Sequence, residues 1–403
     1  MTSPAPAPRA SSASSEAVTP DVRPVRAFLE HQHLALAGTF GAFAARDLAG
    51  RAEPGDDDAA RAEARVLLQR LGGAGWYETI GRGDWRGCCL ARETLGAASP
   101  LADAVFALQG LGTLPILLAG TPALRERYAD GALSGRLMAA FAMTEPDAGS
   151  DVAAMKTTAR RDGGHYVLDG VKTYISNAGI ADFYTVFAST DPAAGGKGIS
   201  CFVVPADAPG LRFAGAQVLA APHPLGTMVF EACRVPVENR LGDEGRGFGL
   251  GLKTLDRLRA TVGAAACGMA SRALHEALEH ARTRRQFGKP LAEFQLVQEK
   301  LARMATDLAA ARLLVYRAAW SADQGEERVT LEAAMAKSFA TEAAQRIVDD
   351  AVQILGGAGV LASHPVDRLY RSVRALRIYE GTTEIQRLVI AGGLLREREE
   401  PRA

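Results

Sequence analysis

The amino-acid sequence predicts an α+β protein of three units: an all-α N-terminal domain, a middle antiparallel β-barrel-like domain, and a C-terminal four-helix-bundle domain. Three observations predict it. Apolar residues recur at three- and four-residue steps up to about position 137, alternate with polar ones from 164 to 236, and return to helical spacing after Gly242. The chain has 403 residues, too many for one ordinary core, and 48% of them are hydrophobic. The expected boundaries are a disordered tail over 1–24, domains over 25–140, 141–241 and 242–396, and a second tail over 397–403.

Residues 1–24 are mostly Ala, Ser and Pro, a composition that cannot bury enough apolar surface to order itself. Only Arg9 and Arg23 are basic there, too few for a transit peptide. Apolar spacing predicts helices over 26–45 and 62–71, with Pro54, Gly55 and the aspartates 56–58 forming a solvated loop between them. The stretch 102–118 is apolar nearly all round, as in a helix buried on several sides. Gly110, Gly112 and the following Gly120 read either as close backbone approach or as a broken helix. In the β region, Asp169–Gly170 and 177–179 (Asn-Ala-Gly) read as turns. Helical stripes follow at Leu255, Leu258, Val262 and Ala265, then at Leu274, Ala277, Leu278 and Ala281. Pro290 closes that segment, and further helices are expected over 291–314 and 331–355. There is no internal repeat.

Composition excludes several function classes. Lys plus Arg and Asp plus Glu stand at 46 each, leaving no basic excess for nucleic acid or an anionic membrane. No apolar run reads as long enough to span a bilayer, and no h-region follows the N-terminus. The five cysteines form no CxxC pair and no cluster with histidine, so no metal is expected and a reduced, cytoplasmic compartment is. Cys88 and Cys89 read as two small buried residues.

Six segments carry possible chemistry. In TEPDAGSD (144–151), Thr144 and Ser150 offer hydroxyls on an irregular loop whose backbone donors suit the edge of a heteroaromatic ring; an ordinary interdomain loop looks the same. In KTYISNAG (172–179), Tyr174 and Ser176 share one strand face, placing an aromatic beside a hydroxyl, as a half-buried strand also does. RRQFGKPLAEFQ (284–295) puts Arg284 at a helix end, where it can simply complement the dipole. The glycines of QILGGAGV (353–360) serve as a helix C-cap or as a place for close approach. Asp256 and Arg259 are spaced for an intrahelical ion pair. In YEGTTEIQR (379–387), Glu380 sits on a loop that Gly381 leaves free to aim it, before Thr382 and Thr383, which can cap the next helix.

In this order and spacing the segments resemble the acyl-CoA dehydrogenase family, over about 26–395. The resemblance implies FAD as cofactor, an acyl-CoA substrate, an electron-transferring flavoprotein as partner, and a homo-oligomer (a dimer or, as a dimer of dimers, a homotetramer). It makes Glu380 the catalytic base, removing the thioester's α-proton while the β-hydride goes to the flavin; the Glu380 backbone N–H is then a donor to the thioester oxygen. It assigns cofactor contacts to Met143, Thr144, Ser150, Tyr174, Ile175, Ser176, Arg284, Gln286, Phe287, Gln295, Gln353, Gly356, Gly357, Thr382 and Glu384. Arg284 and Gln353 would serve the FAD of the neighbouring subunit. Substrate contacts fall to Ser150, Asp256, Arg259 and Gly381. Some relatives carry the base on the helix just before the arginine; here that position is Leu258, which leaves Glu380 alone. Two departures stand out: Tyr174 replaces the family's usual Trp, and Pro222-His223-Pro224 is a rigid, uncommon segment. Phe106 and Leu111 are bulky enough to shorten an acyl tunnel, favouring a short or branched chain. The competing functions on this fold are an acyl-CoA oxidase, a flavin monooxygenase, and a catalytically silent acyl-CoA- or flavin-binding protein.

Overall fold

The computed structural model describes residues 15–326 and 328–397. The expected tails therefore fall partly outside it, at 1–14 and 398–403. Its inner part is not a tail: Ser15–Val18 forms α1, and Ala17 and Val18 are buried.

The N-terminal unit comprises α2 (His31–Asp47), α3 (Asp57–Gly73), α4 (Glu78–Arg82), α5 (Trp85–Ala98), α6 (Pro100–Ala119) and two short turns, α7 (Pro122–Leu124) and α8 (Asp130–Leu133). Local chemistry sets their starts. Asp56 caps α3 by accepting the Ala59 N–H at 2.8 Å, Asp84 caps α5 through Gly87, and Ser99 caps α6 with Pro100 at its first position. Helix α6 is unbroken. Of its glycines, Gly112 answers to close approach: a Cβ there would lie 2.6 Å from the Ala139 Cβ. Contrary to the sequence reading, α6 is long and apolar enough to cross a membrane, with a mean hydropathy of 1.6; 72% of that window is buried inside the protein, as in a core helix.

The middle unit is one sheet of β1 (Ala139–Ala142), β2 (Thr158–Asp162), β3 (His165–Ser176), β4 (Phe183–Ser189), β5 (Ile199–Pro205), β6 (Leu211–Ala216), β7 (Leu225–Pro236) and β8 (Arg240–Leu241). Its order is β6-β7-β3-β2-β4-β5-β8, with β1 beside β4. Pairing is antiparallel except where β1 and β2 each meet β4 in parallel. Asp169–Gly170 is not a turn. It lies inside β3 as a bulge, where Asp169 Oδ1 accepts the Ala232 N–H at 2.7 Å. The 177–179 turn is present, with Asn177 at φ +62° and Gly179 at +80°.

The C-terminal unit has α9 (Gly247–Thr283), α10 (Gln295–Asp323) and α11 (Thr330–Leu355) packed on one another, with α12 (Pro365–Leu376) and α13 (Thr383–Glu397) against α11. Between α9 and α10 a two-stranded hairpin, β9 (Arg285–Gln286) and β10 (Lys289–Pro290), replaces the simple helix end expected there. Helix α5 packs along α9 so closely that a Cβ on Gly268 would sit 2.0 Å from the Glu93 carbonyl oxygen. The two helical units thus share one apolar core; the sheet has one of its own and shares another with the end of α6, α7 and α8. All five cysteines are free and buried.

Candidate functional site

After α12 the chain turns through Tyr379, Glu380 and Gly381, and Thr382 then caps α13, its Oγ1 accepting the Ile385 N–H at 3.3 Å. Glu380 has φ +53° and Gly381 +89°. A glutamate in the left-handed region is strained and persists only where its surroundings fix it. Here they do. Gln386 Nε2 donates to the carbonyls of both Glu380 (3.1 Å) and Gly381 (3.0 Å), and Lys337 Nζ donates to that of Gly381 at 2.6 Å. Gln386 and Lys337 are fully buried, and burial pushes the lysine's pKa down to about 8.

Glu380 is half-buried as a residue, but its Oε2 is shielded from solvent and has no hydrogen-bond partner among the described residues. Burial raises its pKa above the usual carboxylate range, with Arg92, Arg259 and Lys337 pulling the other way. Its backbone N–H also has no protein acceptor among the described residues. The loop therefore presents an unpartnered acceptor of raised basicity next to an unpartnered donor.

Beneath it lies a buried ion pair. Arg92 of α5 donates to Asp103 of α6 through Nε (2.8 Å) and Nη2 (2.9 Å), and through Nη1 to Thr261 Oγ1 at 3.1 Å. Both charged side chains are 2% exposed, and Arg92 and Asp103 both act electrostatically on the neighbouring Tyr379 hydroxyl. Sequence reasoning missed Arg92, Asp103, Lys337 and Gln386. A usable signal existed for Arg92, a lone cation following the apolar run 88–91.

The Asp256–Arg259 ion pair forms within α9, and Asp256 Oδ2 also accepts the Thr330 hydroxyl at 2.6 Å. Arg259 nonetheless keeps a buried, unpartnered Nε and acts electrostatically on Glu380. Leu258 is 4% exposed and packed beside Gly110, so no carboxylate stands there.

The structure joins the first two expected cofactor segments directly. Lys172 Nζ, fully buried, donates to the Met143 carbonyl (3.0 Å) and to Glu145 Oε1 (2.8 Å), and the Thr173 N–H donates to the Thr144 carbonyl at 3.0 Å. This Lys172–Glu145 clasp was also missed. Tyr174 is 63% exposed at φ +54°, its N–H donating to Gln217 Oε1 at 2.9 Å. Ser176 is half-buried and Thr144 likewise; Ser150 is exposed. Met143 (4% exposed) and Ile175 (2%) bury their side chains in the sheet's apolar clusters, so a contact with a cofactor would fall to their backbones.

Arg284, Gln286, Phe287, Gln295, Gln353, Gly356 and Gly357 are all exposed, as is Glu384. Phe287 is 93% exposed at φ +51° on the hairpin tip, and Arg284 has no ion-pair partner among the described residues. No hydrogen bond among the described residues links Arg284 or Gln353 to the Thr144, Tyr174 or Glu380 segments. Aromatics held open at strained positions, hydroxyls beside them and a free guanidinium fit a group that is planar at one end and anionic at the other. FAD is such a group.

His33, Asp84 and Asp323 also bring ligand-type atoms within 4.8 Å of one another. Their roles are already taken: Asp84 caps α5, and Asp323 pairs with Arg86 and accepts backbone N–H groups.

Comparison with known proteins places these features. The family models described as acyl-CoA dehydrogenase, middle domain and C-terminal domain match residues 140–233 and 245–395. The chain is 43% identical over 334 residues to a 3-(aryl)acrylate reductase of Clostridium sporogenes, covering 82% of this chain and 86% of that one. It is 40% identical over 311 residues to a cyclohexane-1-carbonyl-CoA dehydrogenase of Geobacter metallireducens, covering 77% and 81%. Among solved structures, butyryl-CoA dehydrogenase from Megasphaera elsdenii superposes with a TM-score of 0.85 at 34% identity, covering 91% of this chain and 99% of that one.

Proposed function

The chain belongs to the acyl-CoA dehydrogenase family, as an FAD-dependent oxidoreductase acting on CH–CH groups, and from that premise we propose that Glu380 is the base that removes the α-proton of an acyl-CoA thioester. The observation that carries this reading is the Glu380 carboxylate itself, shielded, unpartnered at Oε2 and raised in basicity on a loop whose strain is locked by Gln386 and Lys337. An α-proton is a very weak acid, so the developing enolate needs a donor at the thioester oxygen; the free Glu380 N–H is the protein's candidate. Removing water from the carboxylate sharpens its basicity, which burial accomplishes here. FAD, when bound, supplies the hydride acceptor that no side chain can provide. Thr144, Tyr174 and Ser176 would face its ring, with Ser150, Asp256 and Arg259 toward the substrate. Reducing equivalents would leave to an electron-transferring flavoprotein. Phe106, stacked on buried Tyr77 at 5.5 Å, has little room to swing aside, which favours a short or branched acyl group.

Two experiments test the wider reading. If Arg284 and Gln353 complete the partner subunit's cofactor site, Arg284→Ala should lower the flavin-to-protein ratio after gel filtration while leaving the circular dichroism unchanged; an unaltered ratio contradicts the shared site. Reduced enzyme should reoxidise slowly in air-saturated buffer and quickly with electron-transferring flavoprotein. Hydrogen peroxide at turnover rate would make the protein an oxidase. One relative is named for reduction of an arylacrylate, so the same stopped-flow run with reduced enzyme and an aryl-acrylyl thioester decides the favoured direction.

A further inference from the structure

The segment 217–224 braces the exposed end of β3 from below. Gln217 takes the Tyr174 N–H, the Pro224 carbonyl takes the Asn177 N–H at 2.9 Å, and Leu225 pairs in register with Ser176. His223 stands near its end, its direction limited by prolines on both sides. The Nε2 of His223 lies 2.8 Å from Ser176 Oγ. Its Nδ1 is buried and has no hydrogen-bond partner among the described residues, and Asp57 Oδ1 is in the same condition. Asp57 is the first charge felt by His223, with Arg61 opposing it. Arg61 in turn locks the assembly: it pairs with Asp57 Oδ2, donates to the carbonyls of Ala178 and Leu225, and lies 5.1 Å over the Phe213 ring. His223 thus stands between the charge of Asp57 on helix α3 and the hydroxyl of Ser176.

We propose that His223 is a positioning residue for the flavin, fixing the Ser176 hydroxyl so that its oxygen lone pair, not its proton, faces the cofactor. The proposal rests on the reading of Ser176 as a flavin contact. Burial pushes the His223 pKa down to about 4, so at neutral pH the ring is neutral and carries one N–H. The negative charge of Asp57 favours that proton on Nδ1, the ring nitrogen that Ser176 does not engage. The Nε2 then holds a lone pair and accepts the Ser176 O–H. A serine oxygen left as acceptor favours the reduced isoalloxazine, whose ring nitrogen bears hydrogen, over the oxidised ring, whose nitrogen does not.

The test is the midpoint potential of FAD in the holoenzyme, measured by dye-equilibrated reduction without substrate. His223→Leu should shift the oxidised-to-reduced equilibrium on the order of tenfold toward oxidised flavin, which is ~30 mV more negative for a two-electron couple. His223→Gln, whose carbonyl can accept the same O–H, should restore most of it, and Ser176→Ala should shift it in the same direction as His223→Leu. If Ser176→Ala shifts the potential and His223→Leu does not, the role of His223 is overturned while the serine contact stands. If neither moves it, the serine contact fails and the proposal with it. Should His223→Leu not retain FAD, Asp57→Asn carries the test: a negative shift supports the relay, and an unchanged potential overturns it.

Discussion

Glu380→Gln should bind FAD and acyl-CoA as the unaltered protein does and lose turnover by about 10²–10⁴, the usual cost of removing a general base. The amide keeps the side chain's size and can sit under the same Gln386 and Lys337 contacts, because those hold the backbone carbonyls of Glu380 and Gly381. What it loses is the free carboxylate oxygen. The same assignment fixes a pH dependence. The active form is the carboxylate, and burial raises its pKa, so the rate of the unaltered enzyme should climb as pH rises through a value above the ordinary glutamate range, and this limb should vanish in Glu380→Gln. Initial rates with an artificial acceptor across pH 4–9 read both effects. Adding Leu258→Glu to Glu380→Gln offers a base from a different anchor. Partial recovery is expected, limited by desolvating a carboxylate where Leu258 now packs beside Gly110.

The second large effect concerns stability. Asp103→Ala should destabilise the fold by ~3–5 kcal/mol, because it leaves the Arg92 guanidinium buried with Thr261 and the Tyr379 hydroxyl as its neighbours and no counter-charge. The unneutralised cation would also act more strongly on Glu380, so basicity should fall with stability. Arg92→Met with Asp103→Leu removes both charges together and should recover most of the loss, since an apolar pair of similar volume avoids desolvation altogether. Denaturant unfolding of the holoenzyme measures each variant. A change within ~1 kcal/mol for Asp103→Ala would show that the pair contributes little.

Which features the sequence could disclose follows from the range of the forces involved. Helices such as α9 and α11 announce themselves because apolar spacing is a local property that tertiary packing then uses. The residues of each motif sit close together in sequence, so Glu380 and the Thr144 and Tyr174 segments were legible as pieces. Their joining was not: the Lys172–Glu145 clasp spans 27 positions and depends on which strand lies beside which loop. Asp169–Gly170 misled because the same permissive backbone serves a turn or a bulge, and only the pairing of β3 with β7 decides between them. Gly110 and Gly112 left helix α6 open to two readings, which the approach of β1 settles at Gly112. The partners of Arg92, Asp103 and Lys337 were invisible for a related reason. A charge reads as solvated until the fold supplies its partner, here from a second helix or from a carbonyl 44 positions away. Likewise the segment 15–18 looked like tail, since the burial of Ala17 and Val18 is conferred by helices that come later in the chain.

On this reading the Glu380 carboxylate, and no other group, starts the reductive half-reaction. Anaerobic mixing of FAD-loaded protein with a panel of short, branched and long acyl-CoAs, followed at the flavin absorption band, tests it most directly. At least one saturated acyl-CoA should bleach the flavin rapidly, with stoichiometric formation of its α,β-unsaturated thioester, and Glu380→Gln should not bleach on that timescale despite normal ligand binding. Bleaching of Glu380→Gln at the unaltered rate would contradict it.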